Sequence, residues 1–167
     1  VSSGQATISV QSGELVTTRV VEVGDLVPRP IDFQRDIQPI LNHAGCNTGP
    51  CHGKARGQNG FQLSLLGFDS DFDFDSLTKE ARGRRLDPSH PPASLLLRKP
   101  AGQVPHGGGV RLRAGDERYQ LLLNWISAGT PRRQPDAPAL THVAVEPASR
   151  IMAGGATQQL AVTAHYA

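Results

Sequence analysis

Cys46 and Cys51 are the only cysteines of the chain, with four residues between them, and His52 follows the second directly. The spacer Asn47-Thr48-Gly49-Pro50 is made of turn-forming types, so the three reactive side chains sit on a tight loop. The chain around them has 18 Gly and 13 Pro in 167 residues, with aromatics at 5%. A core built from such side chains alone is modest. Small domains commonly meet that shortage with a staple, a metal or a large bound group.

Lys and Arg number 17 against 15 Asp and Glu, for a formal charge of +2. That near-balance gives no electrostatic case for binding nucleic acid or an anionic membrane surface. No apolar run approaches the roughly 18 residues a membrane span needs. The sequence opens in VSSGQATISV without a visible signal peptide and closes in LAVTAHYA, which reads as a strand cut midway. The expectation is an excerpt of a longer protein.

Periodicity divides the chain in three. Residues 1–24 alternate apolar and polar around a Ser12-Gly13 turn, a hairpin signal. After a Pro-containing linker at 25–32, Phe33, Ile37, Ile40 and Leu41 recur at helical spacing behind Asp32, an N-cap type, with Pro39 set to bend or shorten the helix. Further helices are predicted from Asp73 or Asp75 to Arg82, from Ser94 to Lys99, and from Asp116 to Ala128 with Gly129 as the stop. A second linker covers 132–140, and residues 141–167 return to strand alternation. The fold class read from this is mostly α over 33–131, with short β segments at both ends.

A Cys pair with His directly after the second Cys is the anchor pattern of a c-type haem. Two thioether bonds hold the macrocycle and the histidine binds the iron. The usual spacing has two residues between the cysteines; here there are four. The extra residues can loop outward while Cys51-His52 keeps its geometry. A disulfide across a short loop and an incidental histidine beside two cysteines remain open on spacing alone. So does a zinc site, although no second Cys or His pair stands at finger-like spacing.

Several blocks carry a family resemblance: FQRDIQPILNHAGCNTGPCHGKARGQNGFQLSLLGFD, LTKEARGRRL, PPASLLLRKPAGQVPHGGG and NWISAGTP. Together they cover about 33–131 and resemble the cytochrome-c-like domain of large planctomycete-type secreted proteins. The flanking segments VSSGQATISVQSGELVTTRVVEV and THVAVEPASRIMAGGATQQLAVTAHYA are similar to the closing and opening strands of bacterial Ig-like domains. The resemblance implies a single covalent haem c on Cys46 and Cys51, with His52 as the proximal iron ligand. It also implies an exported protein, periplasmic or on the cell surface, since thioether attachment takes place outside the cytoplasm. Its electrons would pass to a redox partner protein or to a neighbouring domain of the parent chain.

Related domains tend to carry Met-Pro-Pro in the loop before the last helix, where this chain reads Val104-Pro105-His106. His106 is therefore the candidate distal ligand, and bis-histidine iron implies a lower potential than His/Met ligation. The sole methionine, Met152, lies beyond the second linker; His43 and His90 are rivals, and His142 and His165 read as surface residues. Asp69, Asp71, Asp73 and Asp75, with Glu80, imitate a calcium-binding loop, but Phe74 stands where glycine is needed. Turn residues and a helix cap explain them better. Arg82, Arg84 and Arg85 form a basic cluster that is solvated by default, though one of them can pair with a haem propionate. Trp125 reads as core, packing with Phe33 or Ile37.

The function expected is one-electron transfer, the domain being read as an electron-transfer module rather than an enzyme on its own; no nucleophile-base pair or paired carboxylates argue for hydrolysis. A haem sensor or peroxidase-like site with an open sixth position and a structural surface module are the alternatives. So is a disulfide-bonded adhesion protein without haem.

Overall fold

The computed structural model describes residues 3–24, 29–133 and 138–167. The linkers expected at 25–32 and 132–140 lie in part outside these residues. The chain divides into two compact units, 1–30 and 31–167.

In the first unit, β1 (Gly4–Ser12) and β2 (Leu15–Val23) form an antiparallel hairpin paired from Gly4↔Val23 to Ser12↔Leu15. Gly13 makes the reversal at φ +61°, a backbone region in which a side chain is strained. The strands are too few to cover either face, and Ile8, Val10, Leu15, Val16 and Val20 are exposed.

The second unit begins with a wide π-type turn, Phe33–Ile37, that runs into α1 (Gln38–His43). Pro39 explains the widening. It has no N–H to return to the carbonyl of Arg35, and the Gln38 N–H bonds the Phe33 carbonyl one residue further back than an α-turn requires. Asp32 caps this start by accepting from the Arg35 N–H. Three short helices follow: α2 (Ser70–Thr78), α3 (Leu95–Arg98) and α4 (Glu117–Ser127). Asp116 caps α4 through the Tyr119 N–H at 2.7 Å.

α2 starts earlier than its sequence suggests. Asp69 is the cap, accepting from the Phe72 N–H at 2.9 Å. Asp73 instead turns inward and accepts from Ser64 and Gln38.

The core is an aromatic cluster at the meeting of the first turn, α2 and α4. Trp125 is fully buried, 5.6 Å from Phe33 and 6.4 Å from Phe74 between ring centres, and Ile37, Leu77, Leu97, Leu122 and Ile126 close around it. Its indole N–H donates to the Pro131 carbonyl at 2.9 Å, meeting the polar demand that burial creates. The Phe33 N–H bonds the Arg132 carbonyl, so the two ends of 31–133 come together at this cluster.

At the end of the chain, β3 (Leu140–Glu146) and β4 (Ala161–Tyr166) pair antiparallel in a second hairpin.

The mostly α class expected from the sequence is overturned. Among the described residues 29% are helical and 21% extended, and the fold is mixed. The helices span only 6, 9, 4 and 11 residues. Gly, Pro and Asn break the periodic apolar pattern before it can propagate, and the segments between helices are hydrogen-bonded turns. The strands are as long as the helices. No helix among the described residues is long and apolar enough to cross a membrane.

Candidate functional site

α1 ends at Ala44, and Gly45, at φ +71°, turns the chain into the cysteine loop. The loop is closed by its own backbone. The His52 N–H bonds the Cys46 carbonyl at 2.9 Å, while the Thr48 carbonyl accepts from both Cys51 and Gly53 at 3.0 Å. Of the four spacer residues, Pro50 is exposed but Asn47 is buried, its side-chain amide on the Asn42 carbonyl oxygen and its backbone carbonyl on the Leu66 N–H. The spacer is thus a folded turn keyed into the domain, only partly looped outward. Gly53 is required here: a Cβ at that position would lie 2.0 Å from the Asn47 carbonyl oxygen.

Cys46, Cys51, His52 and His106 all line one cavity of about 600 Å³, inside the range of small-molecule and cofactor pockets. Both thiols are free. Burial pushes the Cys46 thiol up to about 11, with Cys51 adding to the shift and the Arg111 charge opposing it.

The two imidazoles are held in the same manner. The Nδ1 atom of His52 lies 2.9 Å from the Phe61 carbonyl oxygen, and that of His106 lies 2.8 Å from the Gly109 carbonyl oxygen. A carbonyl only accepts, so Nδ1 is the donor in both rings and Nε2 is the nitrogen left outside that bond. A histidine tied this way through one nitrogen is arranged to bind a metal with the other. Burial lowers the His52 pKa, which keeps the ring neutral and its lone pair available.

The rings lie 6.5 Å apart between centres and are within 11° of parallel. Stacked imidazoles in contact are much closer, as His142 and His165 are across β3 and β4 at 4.0 Å. Two imidazoles bound end-on to one metal from opposite sides have centres about 6.3 Å apart, given metal–nitrogen bonds of about 2.0 Å. The centre-to-centre distance of 6.5 Å is close to that value.

The cavity wall also has a strong charge bias. Arg84, Arg85, Lys99 and Arg111 line it, and no carboxylate is among the described lining residues. Its apolar lining comes from Leu41, Phe61, Leu77, Leu95 and Leu96. An apolar ligand carrying carboxylates suits such walls. Among the described residues no three His, Cys, Asp or Glu side chains cluster to hold a bare metal ion.

The other candidates lie elsewhere. His43 is exposed at the end of α1, and His90 is exposed in the turn where its N–H bonds Asp87. Neither lines the cavity. Met152 is exposed between β3 and β4. Arg82 does not reach the cavity wall, whereas Arg84 and Arg85 do.

Sequence reasoning misses three contributors: the Phe61 and Gly109 carbonyls and the small size of Gly108. A Cβ on Gly108 would lie 2.9 Å from His106 Cε1, so the glycine lets the ring fold back over its own loop. The PHGGG run carries a trace of this last requirement; the carbonyls leave none.

No protein-family model, curated protein or solved structure matches the chain.

Proposed function

We infer that residues 33–131 hold one covalent haem c, with Cys46 and Cys51 as thioether anchors and His52 and His106 as axial ligands. In this reading the domain transfers single electrons within a larger exported protein, periplasmic or on the cell surface, to a redox partner or a neighbouring domain. The observation that carries it is the pair of imidazoles, each fixed through Nδ1 and set 6.5 Å apart across a cavity that both cysteines line. The sequence resemblance supplies the rest.

A haem bound there supplies one-electron chemistry at iron, with its potential set by axial ligands, burial and nearby hydrogen bonds. The protein's part is to keep the His52 ring neutral, to present Nε2 of both rings, to line the cavity with leucines, and to balance ligand carboxylates with Arg84, Lys99 and Arg111. Two histidines and no methionine in the cavity favour a low potential.

The test is expression with export and haem maturation, followed by a pyridine haemochrome spectrum and an intact mass. The expected product has one thioether-linked haem and a low-spin ferric spectrum. A chain that matures without haem, with Cys46 bonded to Cys51, sinks the reading.

A further inference from the structure

Arg85 is only 8% exposed, yet among the described residues no carboxylate comes within ion-pair distance of it. Its guanidinium is held by carbonyls: Nη1 donates to Ser76 at 2.8 Å and Glu80 at 3.0 Å, and Nη2 to Gly60 at 2.5 Å. It lies over the Phe61 ring, 4.4 Å from the ring centre. The Phe61 ring also contacts the His52 imidazole, again 4.4 Å between centres. The Phe61 carbonyl is the one that fixes His52 Nδ1.

Burying a cation costs stability, and the Glu80 charge that offsets it stands beyond ion-pair distance, so three carbonyls and the Phe61 ring hold the guanidinium in place. An arginine fork locked by three carbonyls is immobile, so its charge is a fixed part of the cavity wall.

We propose that Arg85 is a positioning residue for His52 and a fixed charge that raises the reduction potential of the bound group. It clamps Phe61, whose ring and carbonyl set the His52 imidazole. Its charge favours the state with one more electron. The proposal rests on the haem reading above. In the step concerned, one electron from an external reductant turns ferric iron to ferrous; no bond is made or broken. The added negative charge is stabilised by a cation that no carboxylate of the described residues meets at ion-pair distance, Glu80 acting on it only from further away.

The experiment uses the haem-loaded chain with Arg85→Gln and Arg85→Lys, each checked for folding by urea denaturation. Midpoint potentials come from redox titration, and low-spin ferric EPR reports the axial imidazoles. Arg85→Gln is expected to lower the midpoint and shift the EPR g-values. Arg85→Lys is expected to hold the midpoint near the parent's but keep the altered g-values, since it retains the charge and loses the fork. A folded Arg85→Gln with the parent's midpoint overturns the proposal and leaves the haem reading standing. If Arg85→Gln does not fold, Arg85→Lys decides through the axial imidazoles: altered EPR g-values support the positioning role, and the parent's g-values overturn it. A parent chain without a haemochrome band overturns the haem reading and this proposal together.

Discussion

The imidazoles of His52 and His106 face one cavity from separate loops, 6.5 Å apart and nearly parallel, each donating Nδ1–H to a backbone carbonyl. Their dispositions are independent. His52 is carried by the loop after α1 and braced by Phe61, whereas His106 stands on a glycine-flanked turn after α3. The difference in bracing separates their expected responses to mutation.

Replacing His106 with Ala removes one axial candidate and leaves the anchors intact. The haem-loaded variant is expected to keep its covalent haem, lose the low-spin spectrum and bind exogenous imidazole. His106→Met is expected to raise the midpoint potential, since a thioether favours ferrous iron. An unchanged low-spin spectrum in His106→Ala would rule this ligand out.

Gly108→Ala and Gly107→Ala form a matched pair. A Cβ at Gly108 meets the His106 ring at 2.9 Å, while one at Gly107 meets nothing within 4 Å. Gly108→Ala is expected to displace the ring and mix high-spin character into the optical spectrum at room temperature. Gly107→Ala is expected to match the parent. Equal spectra for the two variants contradict the packing described for His106.

What the sequence makes legible is what periodicity and side-chain chemistry encode. The α4 cap at Asp116, the two hairpins and the contact of Trp125 with Phe33 follow from apolar spacing and cap types. The placement of Cys46, Cys51, His52 and His106 around one cavity is legible because those side chains are themselves the signal. The start of α2 is misread because four alternating aspartates offer several caps, and only tertiary contacts turn Asp73 inward and leave Asp69 to cap. The orienting carbonyls of Phe61 and Gly109 are invisible, since every residue has a carbonyl. The mostly α reading fails because it weighs the identity of the predicted helices and not their shortness.

In the chain without haem, Cys46 is expected to be a slow nucleophile. Burial holds its thiol up at about 11, above the ordinary 9.0, so the thiolate is scarce at neutral pH. In a Cys51→Ser variant, where Cys46 is the one thiol left, alkylation by iodoacetamide is expected to rise about tenfold per pH unit past pH 9. Removing Cys51 takes away one cause of the upward shift, so levelling falls somewhat below 11. Adding Arg111→Gln removes the opposing charge and is expected to slow the reaction further at every pH below levelling. A rate that levels at or below pH 9 contradicts a buried Cys46.

Asp73 joins α2 to the wall behind the cysteine loop. It is fully buried and accepts from the Ser64 N–H at 2.5 Å, the Ser64 hydroxyl at 2.9 Å and the Gln38 amide at 3.0 Å. Gln38 also donates to the Gly67 carbonyl at 2.7 Å, so its amide cannot flip without losing that bond. Asp73→Asn puts a donor against these donors and is expected to cost about 1–3 kcal/mol in urea denaturation. The pH dependence has a definite sign. Burial raises the Asp73 pKa above the ordinary 3.8 despite the opposing hydrogen bonds. Between the ordinary and the raised value the folded state binds more protons than the unfolded one. This contribution to stability is therefore full in acid and is lost as the pH climbs through the raised pKa. The Asn variant has no such slope. The margin of the parent over Asp73→Asn is expected to be widest in acid and to narrow toward neutrality, and a margin that grows with pH contradicts the assignment.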